Sequence, residues 1–307
     1  MNAPVALFVY NRPDHTSRTL EALRKNENAS ETDLYVFADG PKANATEKDL
    51  AAITEVRNVV STIKGFRNVV LSFSEKNLGL AGSIVNGINT VLEKSEVVIV
   101  LEDDVLTSAG FLSFCNSALN KYAEEKNVSA ISGYLFPVKT GMSEAFFLPL
   151  VCCWGWATWK RAWKLYEPDP EKLIRQIEAT NSDRQFNLNN SYPYFELLKM
   201  QMDKRVDSWA IRWYASSFLE NKLMLYPPES LTQNIGMDGS GSHFQTSQDR
   251  FHSEKMNPEQ KKIILPEEIK TDSEVEKKIG KYLYESGAAG RKAKAILWLK
   301  NIFKIKR

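Results

Sequence analysis

Apolar runs and polar spacers alternate through the first hundred residues of this chain. Val5–Val9 is a five-residue apolar run, and Leu34–Phe37, Val69–Phe73 and Val97–Leu101 repeat the pattern. Short apolar runs rich in β-branched and aromatic side chains predict buried strands. Between them lie Asp14–Lys25, Thr46–Ser61 and Ser83–Glu93, where apolar positions recur at helical spacing. Strands separated by helical stretches of this length predict βαβ units, a parallel sheet and right-handed crossovers.

Beyond Ser108 the pattern loosens. Ser108–Glu125 predicts a helix with Ser108 as its cap, Val128–Ser132 and Phe146–Leu148 predict strands, and a helix is expected to start near Trp156. Residues 168–206 are polar and broken up, which predicts a mobile loop with one or two short helices. Ser208–Asn221 predicts a helix, Leu223–Tyr226 a strand stopped by Pro227-Pro228, and Ile235–His243 a glycine-rich loop.

The 307 residues, 43% hydrophobic and 25% charged, have the composition of a soluble globular chain. No apolar run reaches the length of a membrane span, and the N-terminus reads as a strand instead of an export signal. Cys115, Cys152 and Cys153 form neither a disulfide framework nor a metal knuckle, so a cytoplasmic location is expected. Charge changes the picture more. Residues 291–307 hold seven Lys or Arg and no acid; taking those charges from the net +2 leaves −5 on residues 1–290. The acidic body argues against nucleic acid as a partner. The tail reads as a basic amphipathic helix suited to an anionic membrane surface, hence a peripheral position on the inner face of a membrane.

Candidate chemistry gathers where the apolar runs stop. Val97–Leu101 runs directly into Glu102-Asp103-Asp104. Unpaired carboxylates are costly to bury, and open α/β sheets bind ligands beyond the carboxyl ends of their strands. On an extended chain 102 and 104 share a face while 103 points away. One carboxylate suits Mn²⁺ or Mg²⁺ and another a ribose hydroxyl. Tyr10, Asn11 and Arg12 follow the first strand and Asp39 follows the second, so all three tips emerge on one edge. Asp39 can accept from a base N–H, and Arg12 can meet phosphate or base. Asn77–Ser83 places glycines before a helix, where backbone N–H groups can approach an anion.

Farther along, Trp154-Gly155-Trp156 suggests an aromatic platform for a sugar or pyrimidine face, joined by Trp209 as acceptor-binding residues. Asp207 stands just before or at the cap of an apolar helix, where it reads either as a cap or as a general base. His243, after the Asp238–Ser242 loop, is placed to contact a bound diphosphate or its metal.

These residues give the chain a resemblance to GT-A glycosyltransferases, and more specifically to the inverting N-acetylglucosaminyltransferases of N-glycan and O-mannose processing. It spans roughly residues 4–245 and rests on Asp39-Gly40, on the Glu-Asp-Asp version of the Asp-X-Asp motif in Val98–Val105, and on Val206-Asp207-Ser208-Trp209, where the family has Trp-Asp-Asp-Trp. Pro228-Glu229-Ser230 and Gly241–Phe244 follow in the same order. The resemblance implies a Rossmann-like, mostly parallel central sheet flanked by helices. It divides the chain into a nucleotide-sugar half (1–106), an acceptor-binding and catalytic half (107–250), an extension (251–290) and the basic tail (291–307). It implies that Asp104 ligates Mn²⁺, that Asp103 or Glu102 holds the donor ribose, that Asp39 meets uracil and Arg12 the nucleotide, and that Asp207 is the base. The donor is then a UDP-sugar and the acceptor a glycan or polyprenyl-linked saccharide, as in bacterial surface-polysaccharide assembly. Val206 and Ser208 depart from the family pattern and imply a changed acceptor pocket. A retaining transferase or nucleotidyltransferase on the same fold, and a non-catalytic sugar-binding subunit, are the other readings of this pattern.

Overall fold

The apolar run at the N-terminus becomes β1 (Val5–Val9), every residue of which is buried. It lies between two parallel neighbours, with Leu7 opposite Val36 of β2 (Asp33–Ala38) on one side and Leu101 of β4 (Val97–Glu102) on the other. A strand covered on both faces and both edges has no polar side, hence the unbroken apolar run. The computed structural model describes residues 2–236, 238 and 262–287. β2 pairs in turn with β3 (Asn68–Phe73), the outermost strand, most of whose residues are exposed. The crossovers are α1 (Pro13–Arg24), α2 (Glu47–Ser61) and α3 (Gly79–Lys94). Pro13 opens α1, and Thr46 with Asp49 forms a capping box at the start of α2. The parallel βαβ half is as the hydrophobic pattern predicts.

After β4 the chain turns at Asp103-Asp104 into β5 (Val105–Thr107), then α4 (Phe111–Lys121), β6 (Val128–Ser132) and β7 (Phe146–Leu148). β8 (Trp156–Trp159) inserts between β4 and β6, antiparallel to both. β9 (Leu223–Tyr226) extends the sheet beside β6, giving eight strands in the order β3-β2-β1-β4-β8-β6-β9-β7. β10 (Thr232–Asn234) pairs with β5 in a separate ribbon. The architecture is α/β with a large central sheet flanked by helices, as expected.

Three differences from the sequence reading have physical causes. Trp156–Trp159 is strand, and helix begins only at Lys160 in α5 (Lys160–Trp163). Spacing at 156, 159 and 163 suits a helix, but Thr158 and the two indoles fit a fully buried strand between β4 and β6, and pairing wins. The polar stretch 168–206 holds three helices, α6 (Pro170–Ala179), α7 (Asp183–Phe186) and α8 (Tyr194–Met202). Asp169 caps α6 by accepting from Glu171 N–H at 3.0 Å, and Leu173, Ile174 and Ile177 bury one face of it. Ser108 does not cap α4; its N–H donates to Leu231 O at 2.8 Å, and Gly110 holds the cap position. Within the extension, α10 (Ser273–Ser286) forms, capped by Asp272.

The expected helix after Asp207 forms as α9 (Trp209–Leu219). Its Trp209 and Trp213 pack with Trp156 and Trp163 into one buried cluster, with ring centroids 5.1–6.1 Å apart. This cluster joins α9 to the sheet and is a large apolar payload for a short helix. Among the described residues no helix is long and apolar enough to cross a membrane.

Candidate active site

Parallel pairing sets the site. Val9 lies opposite Ala38, and Phe8 opposite Glu102, so Tyr10–Arg12, Asp39 and Glu102–Asp104 leave the sheet at the same edge. The alternating burial of β2 fixes the register, because a one-residue slip would turn Leu34, Val36 and Ala38 away from the core.

The three acids do not alternate as on an extended chain. The backbone turns at Asp103-Asp104, and both of these carboxylates converge on Arg12. One guanidinium nitrogen of Arg12 donates to Asp103 and, at 2.7 Å, to Asp104. Thr19 Oγ1 donates to Asp103 O at 2.8 Å and pins the turn to α1. Burial works against the charge on Arg12, but the two carboxylates hold it on, raising its pKa. Burial pushes Glu102 and Asp103 above the usual carboxylate range; Asp104 adds to both, and Arg12 opposes it in both. Three carboxyl groups thus share one cation, an excess of negative charge that a hard divalent cation relieves. Among the described residues no three His, Cys, Asp or Glu side chains form a complete metal cage. Asp104 is the residue of the three that could offer a carboxylate oxygen to such a cation.

β10 runs beside this turn. Ile235 N–H donates to Asp104 O at 2.8 Å, and Gly236 lies so close that a Cβ there would overlap the Asp104 carboxylate. Beyond it Asp238 Oδ2 lies 3.2 Å from His15 Nε2 of α1. Gly236 and His15 were not singled out from sequence; only a strand partner for residues after Asp104 would have pointed to them.

Asp39 is 6% exposed and largely spoken for. Its Oδ1 accepts from Gly40 N–H and Leu78 N–H, each at 2.8 Å, and its Oδ2 from Asn77 Nδ2 at 3.0 Å. A carboxylate has about four acceptor positions, so one remains for a ligand. Beside it is a cavity of ≈ 120 Å³ whose lining includes Phe37, Asp39, Ser72, Ser83, Asn86 and Thr90.

Asp207 reaches the same helix end from the other side. Ser208 is the true N-cap of α9, its Oγ accepting from Ile211 N–H at 3.3 Å. Asp207, just before it, accepts from Ala81 N–H in the first turn of α3 at 3.4 Å. Its side chain is 57% exposed, with Arg212 Nη2 3.8 Å away. The glycine-bearing stretch Asn77–Ser83 does present backbone N–H groups to anions, and the anions are Asp39 and Asp207.

Tyr10 and Asn11 are half-buried at the tip of β1, and burial raises the Tyr10 phenol. Trp154 is half-buried, edge-on to Tyr134 with centroids 4.7 Å apart. Trp156 and Trp209 are not a platform: they are 0% and 2% exposed and stacked on each other at 5.5 Å. Gly155 between the indoles answers a backbone need, having φ +78° and a position where a Cβ would press on Thr232. His243, and the Gly241–Phe244 loop with it, lie outside the described residues, as does the tail 291–307.

No family model matches the chain. Among solved structures it is similar to TarS of S. aureus, with 18% identity and a TM-score of 0.30 over 43% of this chain and 21% of that one. A second TarS structure, covering its residues 1–349, matches 73% of this chain and 57% of its own length at 13% identity and TM-score 0.39. An active-site mutant of LgtC matches 73% of this chain and 72% of its own at 10% identity and TM-score 0.40. The chain spans less than two thirds of either TarS structure.

Proposed function

We propose that the chain is a GT-A-type glycosyltransferase that moves a sugar from a nucleoside diphosphate donor, a UDP-sugar, to a hydroxyl of a glycan or lipid-linked saccharide. One observation carries this reading. Arg12, Asp39 and Glu102–Asp104 share one sheet edge, and α3 links that edge to the exposed carboxylate of Asp207 through Leu78 and Ala81.

In this reading Asp207 takes the proton from the acceptor hydroxyl as its oxygen attacks the anomeric carbon. The bond from that carbon to the diphosphate oxygen breaks on the opposite face, so the configuration inverts. Arg12 faces the charge that grows on the departing diphosphate. A Mn²⁺ or Mg²⁺ ion held by Asp104 would supply Lewis-acid stabilisation there. Asp103 or Glu102 holds the ribose, and the last acceptor position of Asp39 serves a base N–H. Trp154, the half-buried member of the aromatic set, is left to meet the acceptor.

Asp207→Asn tests the reading. Turnover of donor to product is expected to fall roughly 10²-fold or more, the range of a lost general base, while calorimetric donor binding stays intact. Wild-type turnover would remove Asp207 from the role, and a product of retained configuration would exclude the inverting mechanism.

A further inference from the structure

The outer edge of β3 is an unusual surface for an edge strand. Natural edge strands are blunted by charge, proline, bulges or cover. β3 reads Asn-Val-Val-Leu-Ser-Phe, with no charged residue, and pairs with β2 in continuous register from Asn68 to Phe73. Val70, Leu71 and Phe73 are 43%, 38% and 42% exposed, and among the described residues no strand pairs with the far side.

The direction of the free backbone groups follows from one bond. Ser74 N–H donates to Ala38 O of β2 at 2.9 Å. Backbone groups of successive residues point to opposite sides of a strand, so those of Ser72 and Val70 also face β2. The N–H and C=O of Val69, Leu71 and Phe73 therefore face outward.

We propose that this edge pairs antiparallel with the same edge of a second copy of the chain, with Leu71 on the two-fold axis. A two-fold interface uses one patch on both subunits, and this segment is self-complementary. With Leu71 opposite Leu71, Val69 falls opposite Phe73, so every outward-facing backbone group in the strand meets its counterpart. Just beyond the strand ends, in the bends on either side, the exposed Arg67 of one copy and the exposed Glu75 of the other come to the same end of the pairing, once at each end. Arg67 already grips Asp33 through Nε at 2.8 Å and through Nη2, which leaves Nη1 for the carboxylate of the other copy. Shifting the register by two residues either way loses both the Arg67–Glu75 match and the Val69–Phe73 match. The pairing would continue the eight-stranded sheet across two molecules, and the cavity lined by Ser72 would lie next to the junction.

Sedimentation equilibrium of the full chain tests this without reference to any reaction. The wild type is expected to show a concentration-dependent mass approaching two chains. Leu71→Lys, a charge on the axis, is expected to remain monomeric throughout. Glu75→Arg, a surface change that sets like charges against each other at both ends, is expected to weaken association about tenfold, consistent with two exposed pairs. Leu71→Cys should crosslink to itself with a short bismaleimide, whereas Ser61→Cys at the end of α2 should not. A wild type that stays monomeric, a dimer indifferent to Leu71→Lys, or equal crosslinking at both positions would overturn the proposal. Circular dichroism of each variant separates loss of pairing from loss of fold, and the Glu75 and cysteine variants stand if the lysine variant does not fold.

Discussion

Arg12 is the residue on which the site's charge turns, since one of its nitrogens holds the carboxylates of both Asp103 and Asp104, and burial pushes Asp103 toward protonation. Gly236 matters for a steric reason in the same place. A methyl group at 236 would force the Asp104 carboxylate aside and break its 2.7 Å bond to Arg12. Gly236→Ala is therefore expected to weaken Mn²⁺-dependent binding of a nucleoside diphosphate about tenfold, a loss of about 1.4 kcal/mol, with little change in melting temperature. Isothermal titration checks it; unchanged binding would show that Asp104 has room to move. Glu102–Asp104 was legible in sequence because acids at the end of a buried run are out of place. Gly236, Asn77 and His15 were not, because each matters only through a neighbour that the fold supplies.

Among the elements, α3 does the most to join the site together. Its first turn receives Asp39 from the β2 tip and Asp207 from the start of α9, so two segments far apart in sequence are indexed to one helix end. Sequence showed the glycines there and the anion affinity they imply, but not which anions. Strand β8 shows the opposite limit. Trp156, Trp159 and Trp163 satisfy a helical period by coincidence, and only pairing with β4 and β6 decides the matter. The β2–β3 pair offers a test of its own. Asp33 is held below its usual pKa by hydrogen bonds from Arg67, against a smaller opposing effect of burial and with help from Asn68. A carboxylate depressed in the folded state stabilises above its unfolded pKa and loses that effect as pH falls through the folded value. Asp33→Asn should therefore lower the melting temperature at pH 7, and the gap to wild type should close as pH falls toward 3. A gap that is constant with pH would mean the contact is not electrostatic.

At the scale of the whole molecule, the parallel half was readable because each strand and crossover announces itself by period. In the second half β6, β7, α9 and β9 were readable as well, but not their order in the sheet, because those strands pair out of sequence, nor the short helices that sit in polar sequence. The tail 291–307 is a separate matter of charge. If it attaches the chain to a surface carrying lipid-linked acceptors, the full chain should bind anionic liposomes in flotation assays more tightly than a chain ending at residue 290. Binding should also weaken as salt rises. Equal flotation of the two would end that idea. The place of β8 in the sheet has a further consequence, in the order of synthesis. β4 is complete at Glu102, but the strand that covers its open edge begins at Trp156. At roughly 5–20 residues per second, the apolar edge of β4 stands without its partner for about 3–10 s on every ribosome. During that interval the nascent chain presents the apolar run Val97–Leu101 with one edge unpaired, an aggregation hazard that ends only when the tryptophan strand arrives.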